Sequence, residues 1–213
     1  FKQKTAYEIP KRDWSSDVCS SDLFGSIKLL CPQEIKVDNI EIIKINQLNK
    51  EEYAKFCIYE LPNYISTDYC LMVQNDGFII NSHLWNQSFL NFDYIGAPWL
   101  NERYNNIGNG GFSLRSRKFL QAAKQLNYNS KIQFQSNIKA GELVTPEDWF
   151  ICNYSYKSML KMGIKFANIY TAYKFSVEHP SIYKIYNIYD LTTYNSFGFH
   201  GKFNHAAMMT LER

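Results

Sequence analysis

Four short stretches of this 213-residue chain carry side chains suited to chemistry. Gln74-Asn75-Asp76-Gly77 places an amide and a carboxylate two residues apart, on one side of an extended chain. A hard divalent cation takes carboxylate oxygens and completes its shell with water and substrate phosphates. Asp76 offers one carboxylate to such an ion or to a ribose, and Gly77 permits a sharp turn beside it. The competing structural reading is an Asx turn, since Asp-Gly is a common turn pair. Gly108-Asn109-Gly110-Gly111 comes next and runs on to Arg115. Glycines at that density expose backbone N–H groups, admit close approach and can hold anions ahead of a helix. The stretch matches neither the dinucleotide fingerprint nor a P-loop, and its plainer reading is a tight connection packed under Trp99. Glu147-Asp148 follows Thr145-Pro146. Acids there either serve the helix dipole or supply a general base within reach of a substrate hydroxyl. Last is His200, between Phe199 and Gly201, a candidate ligand for a cation or a diphosphate. His83, His179 and His205 read as surface or packing residues.

The elements that must hold these residues alternate between strand and helix. SIKLLC (26–31), NIEIIKI (39–45), GGFSL (110–114) and IKFANI (164–169) read as strands. YCLMVQ (69–74) is a continuous apolar run of strand length, the pattern of a central strand covered on both faces. EEYAKFCIYEL (51–61) has helical spacing and stops at Pro62. Residues 82–90 read as a short helix with Ser82 as N-cap, and 115–126 as a basic helix. A further helix starts at Thr145, with Pro146 at its first position, and runs to about Met162, where Gly163 ends it. This alternation predicts an α/β fold with parallel strands. Ligands then bind at the carboxyl ends of the strands, which points to the residues after Gln74.

Residues 1–23 carry neither period. Phe1–Glu8 and Asp13–Leu23 resemble, in one reading frame, the translation of two halves of a common short-read sequencing adapter separated by an index. The expectation is a non-native, disordered segment followed by one domain over 24–213, with native sequence upstream of Phe24 replaced. A net charge of +3 without a basic stripe argues against a nucleic-acid partner. Outside the opening stretch the cysteines are Cys31, Cys57, Cys70 and Cys152, with no metal-ligand spacing, and they read as buried thiols of a reducing compartment. No apolar run reaches the ~18 residues of a membrane span. The expectation is a cytoplasmic, or membrane-peripheral, bacterial-type protein.

Taken in order, VQNDGF, NFDYIGAPW, GNGGFSLRSRKFL, PEDWF, FSVE and FGFHG resemble a family of uncharacterised glycosyltransferase-like domains, domain-of-unknown-function family 5672. The resemblance covers most of residues 35–203, and the second and third blocks are the most specific. It implies a GT-A-like, Rossmann-like fold: a mixed, mostly parallel sheet flanked by helices, its first strand falling upstream of Phe24. It implies transfer of a sugar from a nucleotide-diphosphate donor to an acceptor hydroxyl of a carbohydrate or glycoconjugate, with inversion favoured, in surface polysaccharide synthesis. By the same resemblance Gln74, Asp76, Gly77 and Arg115 face the donor, with Arg117 near it, and Asp76 stands where an Asp-x-Asp element would grip a metal. His200 completes a Mn²⁺ or Mg²⁺ site. Trp99, Gly110, Gly111 and Trp149 face the acceptor, with Tyr94 as a further stacking candidate. Asp148, ahead of Glu147, is the base. The presence of only one acid in Gln74-Asn75-Asp76 keeps open a non-catalytic carbohydrate- or nucleotide-sugar-binding domain on the same scaffold.

Overall fold

The computed structural model describes the backbone of 4–9 and residues 25–99, 105–132, 144–178 and 195–201. His179 and His205 lie outside these described residues. A six-stranded sheet runs in the order β3-β2-β1-β4-β7-β6, from β1 (Lys4–Ile9), β2 (Ser26–Cys31), β3 (Glu41–Lys44), β4 (Tyr69–Gln74), β6 (Tyr94–Gly96) and β7 (Phe112–Ser116). A second, three-stranded sheet has the order β5-β9-β8, from β5 (Gly77–Ile79), β8 (Ser176–Val177) and β9 (Gly198–His200).

The central strand is where its apolar run predicts. Cys70 and Met72 enter one hydrophobic cluster while Leu71 and Val73 enter another. The period of two along β4 thus buries both of its faces. The first cluster takes Ile58, Phe119 and Met159 from helical segments, and the second takes Ala172 and Phe175.

The expectation of a mostly parallel sheet is corrected. Only β2 and β3 pair in parallel within the large sheet; β1 is antiparallel to β2 and β4, and β7 is antiparallel to β4 and β6. The strands β3, β2, β4 and β6 share one direction, and β1 and β7 oppose it. The fold is therefore mixed α/β. Strand β1 falls within residues 1–23 and pairs from Lys4↔Gln74 to Ile9↔Tyr69 on one side and with β2 on the other. Ladder bonds come from main-chain N–H and C=O groups that every non-proline residue carries, so side-chain periodicity gives no warning of them.

The helices are shorter and less regular than their spacing predicts. Helix α1 (Lys50–Lys55) opens with a capping box: Asn49 accepts from Glu52 N–H, and the Glu52 carboxylate accepts from Asn49 N–H. It widens into a π-helical stretch, Phe56–Glu60, and tightens into a 3₁₀ turn at Leu61–Tyr64, which takes Pro62 into its first turn and ends at Ile65 rather than at the proline. Residues 82–91 form two 3₁₀ turns, and Ser82 is not their cap. Helix α2 (Arg117–Lys124) begins after β7, its N-cap Ser116 accepting from Phe119 N–H. Helix α3 (Glu147–Trp149) has Pro146 rather than Thr145 at its N-cap position, with no side-chain cap, and passes through a π-helical stretch, Phe150–Tyr154, into α4 (Tyr156–Lys161). Gly163, at φ 76°, ends that run as expected. The strand expected over 164–169 is a single bridge from Phe166 to Tyr94, followed by an unforeseen helix α5 (Ile169–Phe175). Among the described residues no helix is long and apolar enough to cross a membrane.

Candidate functional site

The second sheet gathers three distant pieces of sequence. Strand β9 lies between β5 and β8, pairing Gly77 with His200 on one side and Val177 with Phe199 on the other. The turn after β4, the segment after β8 and the end of β9 therefore meet. Aromatic packing fixes this sheet to the core. Phe112 of β7 stands 5.3 Å from Phe175 and 5.9 Å from Phe197, the residues just ahead of β8 and β9.

At the meeting point His200 Nε2 lies 3.3 Å from Asp76 Oδ1 and 3.3 Å from Gln74 Oε1, while Nδ1 lies 3.2 Å from Glu178 Oε1. Gln74 is held in turn, since its Nε2 donates to the Tyr53 hydroxyl at 3.0 Å. Asp76 is only 5% exposed, and its backbone oxygen accepts from Gly201 N–H. Its contact with His200 spans the fold, which the Asx-turn reading does not provide.

The glycine pair sits directly against this cluster. A Cβ on Gly111 would come within 2.0 Å of His200 Nε2, so the imidazole packs on bare backbone. Gly111 carbonyl accepts from Gln74 N–H at 2.7 Å. On its other side Gly110 N–H donates to Asp148 Oδ2 at 2.8 Å. The structure thus brings Gln74, Asp76, Gly77, Gly110, Gly111, Asp148 and His200 together. It corrects one expectation for the glycine segment. Gly110 N–H serves Asp148, Gly111 N–H serves the Asn109 side chain and Asn109 N–H serves Ala97 carbonyl, so these donors are used internally rather than turned to an anion.

Arg115 is displaced from its expected role as well. It is 1% exposed, beneath the glycines, with Nη2 3.6 Å from Glu147 Oε1, Nε donating to Ser113 Oγ, and the guanidinium 5.7 Å from the Tyr94 ring centroid. Burial disfavours its charge, but Tyr94 and Glu147 beside it more than compensate, and its pKa rises above the ordinary guanidinium value. Arg115 therefore braces the glycine segment from below rather than facing a donor, and Glu147, 4% exposed, is its buried counter-ion rather than a base open to substrate. Asp148 is the half-buried member of the acidic pair, and Oδ1 accepts from Trp149 N–H. Arg117 donates to Thr67 carbonyl, away from the cluster. Tyr94 is core, its hydroxyl donating to Gly108 carbonyl at 2.7 Å. Trp99 packs against the first hydrophobic cluster, and Trp149 is half-buried with its ring 6.3 Å from that of Tyr154. His83 is exposed, away from the site.

A divalent cation is the group implied for this place. Ligands at about 2.1 Å on adjacent octahedral positions lie about 3 Å apart, close to the 3.3 Å between Asp76 Oδ1 and His200 Nε2. A carboxylate oxygen, an imidazole nitrogen and the Gln74 amide oxygen suit Mn²⁺ or Mg²⁺ with water and phosphate completing the shell. Among the described residues no group of three or more His, Cys, Asp or Glu is arranged to hold a metal ion.

The family model described as "Protein of unknown function (DUF5672)" matches residues 38–200, well over half of the chain. The chain belongs to this family. The matched span holds every residue of the Asp76–His200–Gly111–Asp148 cluster and excludes β1 and β2. Comparison with curated proteins and with solved structures gave no match. Glu178 is the site residue the sequence reading missed as a participant. Its signal was present in the FSVE block, whose acid stands one residue beyond a two-residue strand.

Proposed function

We propose that this DUF5672 domain transfers a sugar from a nucleotide-diphosphate donor to the hydroxyl of a carbohydrate or glycoconjugate, in the manner of GT-A glycosyltransferases. The observation that carries the reading is the convergence of Asp76, His200 and Asp148 on the two faces of Gly110-Gly111. Asp76 and His200, with Gln74, would hold the cation on one side. When bound, the cation neutralises charge developing on the departing diphosphate. Asp148, on the other side, is placed to take the proton of the acceptor hydroxyl. Trp149, next in sequence, offers a ring face to the acceptor sugar. Gly110 fixes the Asp148 carboxylate through its N–H, and Arg115 holds Gly110 carbonyl from below at 3.4 Å. A base on the opposite side from the leaving group suits an inverting reaction.

A second reading is a non-catalytic carbohydrate- or nucleotide-sugar-binding domain. It is favoured by Asp148 itself, both of whose carboxylate oxygens already accept backbone N–H groups. Calorimetric titration with UDP and with GDP, with and without Mn²⁺, tests the proposal. Cation-dependent binding lost in Asp76→Ala, followed by donor hydrolysis, supports the transferase. Binding without turnover under any donor supports the second reading. No binding of either nucleotide or of other nucleoside diphosphates overturns the transferase and the nucleotide-sugar form of the second reading.

A further inference from the structure

We propose that the lysine-bearing face of α4 and the loop that follows it dock on an anionic lipid bilayer. Residues 149–177 hold Lys157, Lys161, Lys165 and Lys174 and no Asp or Glu. All four lysines are exposed. The net charge of +3 conceals this excess because acids gather elsewhere, as on α1, where Glu51 pairs with Lys55 at 2.7 Å. Tertiary contacts draw in a further cation. Lys118 of α2 donates to Gly163 carbonyl, just past the end of α4, and lies 3.5 Å from Asp93 Oδ2. The same carboxylate oxygen accepts from Lys165 N–H, which holds the loop beside α2. Asp93 is buried between these groups, and Asp68, whose carbonyl accepts from Arg117 N–H, is an exposed acid at the border. Apolar side chains stand among the cations. Tyr154, Leu160 and Tyr170, in the same stretch, are 55%, 45% and 61% exposed. On α4, Lys157 and Lys161 are one turn apart and Leu160 falls between them in sequence. This combination suits a bilayer surface: ammonium groups reach the anionic headgroups while apolar and amphipathic side chains enter the boundary below them. The exposed cations are lysines, point charges suited to diffuse attraction rather than to forked recognition of single phosphates. Arg117 is engaged with Thr67 carbonyl, and Arg115 is buried. The inference is independent of the transferase reading, because it concerns a surface and not turnover.

The test is co-sedimentation of the whole chain with vesicles of phosphatidylcholine alone and of phosphatidylcholine mixed with phosphatidylglycerol. The chain is expected to pellet with the anionic vesicles and to stay in solution with the neutral ones. Raising NaCl from about 0.1 M to about 1 M shortens the screening length from about 10 Å to about 3 Å and is expected to release most of the chain. Lys157→Gln with Lys161→Gln is expected to weaken binding about fivefold per lysine, and Leu160→Gln about fivefold. These side chains are exposed, so the variants keep the fold. Lys50→Gln with Lys55→Gln removes the same charge from α1 and is expected to leave binding unchanged. The inference is overturned if the wild-type chain ignores anionic vesicles, if the α1 pair weakens binding as much as the α4 pair, or if neither α4 variant has an effect. Single-stranded RNA that displaces the vesicles, with Leu160→Gln without effect on either, assigns the lysines to a polyanion and overturns the lipid inference as well.

Discussion

Arg115 and Glu147 meet inside the protein, Nη2 to Oε1 at 3.6 Å, with side-chain exposures of 1% and 5%. Breaking such a pair from one side strands a buried charge, whereas replacing both partners by apolar groups removes the cost. Arg115→Met is expected to lower stability by about 3–5 kcal/mol. Arg115→Met combined with Glu147→Leu is expected to regain most of that loss. Urea unfolding of the two single variants and the double variant gives the coupling; strictly additive losses would show that the pair is not a unit.

Gly111 has no room for a side chain, because His200 occupies it. In Gly111→Ala the imidazole must swing away from Asp76. We expect at least a tenfold loss of Mn²⁺ affinity, together with about 1–3 kcal/mol of destabilisation from overpacking. Calorimetry and urea unfolding of the same preparation separate the two effects. Full Mn²⁺ affinity in this variant would place the cation elsewhere.

Asp148→Asn keeps a carbonyl oxygen for Gly110 N–H or Trp149 N–H but removes the basic carboxylate. Turnover is expected to fall about 10²–10⁴-fold, with nucleotide affinity unchanged. Steady-state kinetics beside nucleotide titration checks this. Turnover equal to wild type would remove Asp148 from the chemistry.

The interior makes the fold sensitive to alkali. Burial pushes the Cys152 thiol and the Tyr94 phenol well above their ordinary values, and burial raises Tyr128 too. In the window above about 8.5 for a thiol and about 10 for a phenol, the unfolded chain has released protons that the native chain keeps. The native state then binds more protons, so stability is complete below that window and falls as pH rises through it. Thermal melts between pH 7 and 10.5 are expected to show a falling Tm that steepens above pH 9, with a shallower fall in Cys152→Ala. A flat profile would contradict the buried, protonated assignment.

Much of the site was legible because its residue types are locally unusual: Asp76 at the end of an apolar run, glycines at 110 and 111, acids at 147 and 148, and His200 flanked by Phe199 and Gly201. Strand β4 was legible for the same reason, as a run buried on both faces. What stayed hidden depends on long-range pairing. Nothing near Arg115 marks it as interior; its burial follows from Glu147, which lies on another element. The N–H groups of the glycine segment looked available because two of their acceptors, Asp148 for Gly110 and the carbonyl of Ala97 for Asn109, come from other parts of the chain. Strand direction is likewise a property of neighbours. Asp93 illustrates the limit from the opposite side: its DYIGAPW block is highly specific, yet its oxygens accept from Ser116 Oγ at 2.7 Å and Lys165 N–H at 2.8 Å, a tie between elements rather than a reactive group.

The antiparallel β1 acts as a seam through the large sheet. On one flank stand β2 and β3; on the other stand β4, β7 and β6, of which β4 carries Gln74 and leads to Asp76, and β7 follows Gly110 and Gly111. The registers that align the cluster, β4 with β7 and β5 with β9 and β8, do not pass through the seam. Stability and site geometry are therefore partitioned by the topology. A change confined to the seam alters how firmly the β2–β3 flank is held, while the alignment of Asp76, Gly111 and His200 is set on the far side of it.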